Sequence, residues 1–167
     1  MTVREYTQRD IPEMISVWNE VVNEGNAFPQ EELLDERSGA EFFASQSRCG
    51  VAVDDGAPTV GIVGMYILHP NNVGRCGHIC NASYAVSAEY RGRHIGEALV
   101  RDCMNAAREL GFRVLQFNAV VADNTAARRL YERLGFTQLG TIPGGFRMND
   151  GKYADICPYY KLLEISD

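Results

Sequence analysis

The sequence predicts an α/β domain, α+β in layer terms, with helices flanking a mixed sheet. Three observations lead there. The chain has 167 residues, the size of one ordinary domain. Its 46% hydrophobic and 23% charged content is that of a globular protein. Strand-like alternation and helix-like stripes then follow one another in the order β-α-α-β-β-β-α-β-α-β-β, with no internal repeat or low-complexity linker, so a single domain over 1–167 is expected. A chain of this length buries roughly 70% of its unfolded surface and needs no metal or disulfide staple.

Each element has a local reason. Thr2 to Tyr6 alternates as a first strand. Asp10, Pro12 and Glu13 are helix-start chemistry, Ile11, Met14, Ile15, Trp18 and Val22 fall at helical spacing, and Gly25 stops the helix. A second helix is expected over Ser38 to Ser47, with Ser38 and Glu41 as its capping box. Strands follow at Gly50 to Asp54, Val60 to Leu68 and His78 to Val86, the first two joined by a turn at Asp55-Gly56. Ile95, Ala98, Leu99, Cys103, Ala106 and Leu110 make an amphipathic stripe closed by Gly111. Val114 to Val121 reads as a strand, and Ala127, Leu130, Tyr131 and Leu134 mark a helix ended by Gly135. Phe136 to Thr141 and Tyr153 to Leu163 supply the last two strands.

Composition excludes several functions. No apolar stretch reaches the ~18 residues of a membrane span, and the opening Met1-Thr-Val-Arg-Glu-Tyr is not signal-like, so a cytoplasmic protein without a membrane partner is expected. The net charge of −6 has the wrong sign for nucleic acid, and no such partner is expected. Five scattered cysteines suit a reducing compartment. Cys76, His78 and Cys80 would share one strand face, but Cys76 and Cys80 would then stand about 13 Å apart, so no metal is expected.

Two segments carry chemistry. In Val86-Ser-Ala-Glu-Tyr-Arg-Gly-Arg-His-Ile-Gly96 a strand ends, a turn with Arg91, Gly92 and Arg93 follows, and a helix begins near His94. The first amides of a helix lack internal partners and carry partial positive charge, so this is either an anion site or an exposed basic turn. In the second, Asn124, Ala127 and Tyr131 lie on one side of a helix, and Tyr131 is either a core aromatic or a hydroxyl aimed at a ligand.

The Arg91-Gly-Arg-His-Ile-Gly96 turn and the Asn-x-x-Ala-x-x-Leu-Tyr-x-x-x-Gly-Phe helix about thirty residues later resemble the GCN5-related N-acetyltransferases, and the likeness covers nearly the whole chain. The resemblance implies a mostly antiparallel sheet of about seven strands with about four helices, splayed between the fourth and fifth strands. It implies acetyl-CoA as co-substrate, its pyrophosphate held by backbone amides from Arg91 through Gly92, Arg93, His94 and Ile95 to Gly96. The pantetheine arm would lie in the splay, Asn124 and Ala127 would contact it, and a backbone amide at or near Val86 would bind the oxyanion. Tyr131 would sit near the sulfur as general acid. The family turn usually reads Arg/Gln-x-x-Gly-x-Gly/Ala, and His94 replaces its first glycine. A positive φ there would strain a histidine, whereas a helical φ would place an imidazole beside a phosphate.

A narrower resemblance, carried by His78-Ile-Cys-Asn81-Ala with Asn118 and Asn124, is to fungal N-acetyltransferases that act on toxic proline analogues. Asn81 and Asn118 flank the splay, either as catalytic and acceptor-binding amides or as caps on strand-end backbone. Glu20 and Glu24 either reach the acceptor pocket or form a solvated helix face, and Phe28 either walls that pocket or packs on the surface. The loop Gly144 to Gly151 borders the acceptor site or a homodimer contact. No side chain stands out as a base. A lysine-like amine would pay roughly 4.6 kcal/mol to become neutral at pH 7 and an α-amine about 1.4, which favours an amino acid or analogue as acceptor. The alternatives are a protein N-terminal or lysine acetyltransferase, and a non-catalytic acetyl-CoA sensor.

Overall fold

Alternation along the strands assigns each residue to one of two sheet faces, and each face is covered by its own helices. The computed structural model describes residues 1–56 and 61–164. In order, the elements are β1 (Thr2–Glu5), α1 (Ile11–Glu24), α2 (Glu36–Ala44), β2 (Arg48–Asp54), β3 (Gly61–Pro70), β4 (Ile79–Val86), α3 (Ile95–Glu109), β5 (Val114–Val121), α4 (Thr125–Arg133), β6 (Thr137–Gln138), β7 (Ile142–Arg147) and β8 (Tyr153–Leu162). The strands run β1-β2-β3-β4-β5-β8-β6, with β7 also paired to β8. Every pairing is antiparallel except β4 with β5.

One face packs Met14, Trp18, Val21 and Val22 of α1 and Phe43 of α2 against Val51, Met65 and Ile67. The other packs Ile95, Leu99, Cys103 and Ala107 of α3 against Tyr66, Leu68, Leu115 and Phe117. Parallel pairing of β4 with β5 is confined to Ile79↔Val114 and Cys80↔Leu115. Beyond those two pairs the strands separate, and the sheet opens toward Val86.

The expected fold class stands, with differences in detail. The last strand region is a three-strand arrangement rather than two. Ile142–Arg147, expected as loop from Gly144 onward, pairs with β8 at Ile142↔Ile156, Phe146↔Ala154 and Arg147↔Tyr153. Its register is broken between Ile142 and Phe146, which erases the period-two signal, and Phe146 is buried against Val121 and Ile156. The strand expected over Phe136 to Thr141 shrinks to Thr137–Gln138, because β8 gives its next positions to β7. The second helix begins at Glu36, not Ser38: Asp35 Oδ1 accepts from the Ser38 amide at 2.7 Å, so Ser38 is the third helical residue and not the cap. It ends at Ala44, because the Ser47 amide donates to the Leu68 carbonyl and joins the sheet. Val60, expected to open the third strand, lies outside the described residues. Among the described residues no helix is long and apolar enough to cross a membrane.

Candidate active site

The turn after β4 follows from what its backbone cannot bond to. The amides of Gly92, Arg93, His94, Ile95, Gly96 and Glu97 donate to no described residue. Gly92 has φ 78° and His94 φ 61°, and successive amides in such a turn converge on one point. His94 is the one residue other than glycine with positive φ among those described, so the histidine occupies the strained alternative. A Cβ on Gly92 would meet nothing within 4 Å. This nest, in front of a fifteen-residue helix, is built to receive an anion such as a phosphate group.

Side chains around the turn are engaged elsewhere. Arg91 Nη2 pairs with Glu24 Oε1 at 2.7 Å, and its Nε donates to the Val86 carbonyl at 3.2 Å. Glu20 accepts from the Ala88 amide at 2.6 Å. Both carboxylates of α1 thus brace the turn, and Glu24 also lines the cleft that starts there. Arg93 lies over the Tyr90 ring, 4.9 Å from its centroid. Glu97 bonds Arg101 at 2.8 Å and Arg133 at 3.0 Å, which hold its carboxyl below the usual range.

From the nest an open cleft of about 950 Å³ runs through the gap between β4 and β5 to the face covered by α1. Ile95, Asn124, Ala127 and Tyr131 line its helical side. Asn124 Oδ1 caps α4 by accepting from the Ala127 amide at 3.2 Å, so its Nδ2 is the end free for a ligand. The Tyr131 ring is packed 4.4 Å from Phe117 and 5.6 Å from Phe136. Burial pushes its hydroxyl up, so it holds its proton, and that hydroxyl bonds to no described residue. The Ser87 amide donates to the Val63 carbonyl, and alternation then turns the amides of Tyr84 and Val86 away from β3, into the gap.

On the α1 side the cleft meets Phe28, Asn81, Asn118 and His69. Phe28 is both wall and core: it is 6% exposed and its ring lies 4.4 Å from that of Trp18. Asn81 Oδ1 accepts from the Ala82 amide at 2.8 Å, closing the backbone group that the splay leaves unpaired. Asn118 forms a reciprocal amide pair with Asn71, at 3.1 and 2.7 Å, and its Oδ1 also accepts from Gln116. The structure therefore gives Asn118 a bracing contact across the end of β4. His69 and Asn71 were not singled out by sequence; the signal available was that His69 continues the face of Met65 and Ile67. His78 is exposed and, with Cys76, precedes β4, so the premise of one shared strand face does not hold. Cys80 is buried, and its thiol is pushed up to about 12. Among the described residues no group of three potential metal ligands comes together.

Residues 14–136 match the family described as Acetyltransferase (GNAT) family. The fission yeast Schizosaccharomyces pombe protein named N-acetyltransferase aca1 is 39% identical over 108 residues, 64% of this chain and 52% of that protein. The chain thus spans about half the length of that relative. An L-methionine sulfoximine/L-methionine sulfone acetyltransferase of Pseudomonas aeruginosa is 26% identical over 146 residues, 85% of this chain and 83% of its own. Among solved structures, a GCN5-related N-acetyltransferase from Kribbella flavida superposes with a TM-score of 0.86 at 33% identity, covering 97% of each chain.

Proposed function

Because the chain belongs to the acetyltransferase (GNAT) family of acetyl-CoA-dependent acyltransferases, we propose that it acetylates the amine of a small molecule, an amino acid or a toxic analogue, by direct attack in a ternary complex. One observation carries this reading: a single cleft joins the unbonded amides of residues 92–97 to an acceptor wall built by Phe28, His69 and Asn81. The Pseudomonas relative's name points to amino-acid analogues as acceptors, whose α-amine is easier to neutralise than a lysine's.

Bound acetyl-CoA supplies an activated acetyl thioester. The residues of this chain do the rest. The amides of Gly92 to Glu97 hold the pyrophosphate, and Asn124 and Ala127 border the arm. The amides of Tyr84 and Val86 point where negative charge grows on the carbonyl oxygen. Tyr131 gives its proton to the departing sulfur. Asn81 directs its remaining amide group at the acceptor, with Asn118 fixing that end of the gap. A cytoplasmic setting accords with the cysteine usage.

The test is mass spectrometry of free amino acids, their analogues, polyamines, aminoglycosides and short peptides incubated with acetyl-CoA. Acetylated amino acids or analogues are expected. Acetylated peptides alone would move the assignment to a protein acetyltransferase. Tight acetyl-CoA binding without any product would move it to a sensor.

A further inference from the structure

The geometry points to His69 as the group that takes the proton from the acceptor's ammonium, a role resting on the amine acetylation proposed above. His69 stands directly across from Asn81 in the β3–β4 register, so both side chains leave the same face of the sheet. That face is the one walled by Val21 and Phe28, and both residues line the cleft. The imidazole is half-buried.

Its tautomer is set by the backbone. His69 Nδ1 lies 3.0 Å from the Pro70 carbonyl oxygen, and a carbonyl only accepts. In the neutral ring the proton therefore sits on Nδ1, and Nε2 keeps an unshared pair. This is how a histidine is prepared as a base. The other candidates along the cleft are occupied or displaced. Glu24 is paired with Arg91, and Glu97 with Arg101 and Arg133. Asp123 lies in the exposed turn that enters α4, on the side of Asn124. His94 is exposed on the cofactor turn.

The proton balance closes. His69 Nε2 takes one proton from the ammonium and later returns it to water. The freed nitrogen pair bonds to the acetyl carbon, and the carbon–sulfur bond breaks with its electrons on sulfur. Sulfur takes the Tyr131 proton, and Tyr131 recovers one from the nitrogen, which by then carries one in excess. The sum is one amide, one thiol and one released proton.

Two measurements test the role. Long-range 1H–15N spectra of the wild-type protein are expected to show the His69 ring protonated on Nδ1 alone; protonation on Nε2 would overturn the assignment before any variant is made. In kinetics at pH 7, His69→Gln is expected to lower kcat for an α-amino acid acceptor about 100-fold while its KM changes less than about threefold. The deficit is expected to shrink at pH 10, where much more of the acceptor arrives neutral. A raised KM with unchanged kcat would make His69 an anchor for the acceptor's carboxylate instead, and a deficit equal at both pH values would make it structural. Either result overturns the base role while leaving amine acetylation in place. Wild-type protein that acetylates no free amine would overturn both.

Discussion

Glu24 Oε1 and Arg91 Nη2 stand 2.7 Å apart, so the last turn of the first helix grips the turn proposed to hold the pyrophosphate. The pair is partly exposed and contributes at most about 1 kcal/mol, or about fivefold in a binding constant. Its effect is expected on the shape of the turn. Glu24→Gln should raise the KM for acetyl-CoA about two- to fivefold with a Tm shift below about 4 °C. Steady-state kinetics and thermal unfolding check it. An effect seen in Arg91→Ala and absent from Glu24→Gln would mean that Arg91 meets the phosphate itself.

His94 is held at φ 61° where glycine would be unstrained. His94→Gly is expected to gain about 1 kcal/mol, or about 2–4 °C in Tm, after the entropy cost of glycine is subtracted. His94→Val should lose stability and weaken acetyl-CoA binding, since a branched Cβ tolerates this conformation least. Calorimetric unfolding and titration with acetyl-CoA read both. Equal stability of all three proteins would show that the turn relaxes around residue 94.

Tyr131→Phe keeps the ring that packs on Phe117 and Phe136 and removes only the hydroxyl. Turnover is expected to fall at least about tenfold, with acetyl-CoA affinity nearly intact. Because burial raises its pKa, no alkaline loss of activity from Tyr131 is expected until well above pH 10. Unchanged turnover would remove Tyr131 from the mechanism.

Asp10 gives a stability signature far from the cleft. Arg4 bonds its carboxylate at 2.7 and 2.9 Å and the Thr7 amide at 2.6 Å, holding its pKa at about 2 against the opposing effect of burial. A folded-state pKa below the unfolded one stabilises above pH 4, and that share is lost as pH falls from about 4 to about 2. Asp10→Asn is expected to cost about 2 kcal/mol at pH 7 and progressively less toward pH 2. Urea unfolding across that range measures the difference, and a gap that stays constant with pH would refute the linkage.

The sequence was most legible where one local rule acted alone. The stripes of α1 and α3, the turn at residues 91–96 and the side of α4 bearing Asn124, Ala127 and Tyr131 all lie where periodicity and end chemistry place them. It was least legible where long-range pairing decided. The strand at Ile142–Arg147 exists through β8, ten or so residues away, and its broken register hides it. The pairing of Asn118 with Asn71 spans 47 residues, and that of Glu24 with Arg91 spans 67; composition carries no trace of either. His69 was hidden for a different reason. A single histidine at a strand end is unremarkable until the register sets it opposite Asn81 and the Pro70 carbonyl fixes its proton.

The two sides of the cleft rest on different apolar clusters. Ile95, Leu130 and Tyr131 stand on the core beneath α3, whereas Val21 and Phe28 stand on the core around Trp18. Beyond the strands, Glu20 and Glu24 of α1 reach across to the turn at residues 88–91, so the two sides are tied there as well. The proposed donor and acceptor ends therefore rest on largely separate apolar foundations, joined at Glu24 and Arg91. Substitutions that repack the Trp18 core while keeping Glu20 and Glu24 in place are expected to reshape the proposed acceptor wall while leaving the turn at residues 91–96 intact.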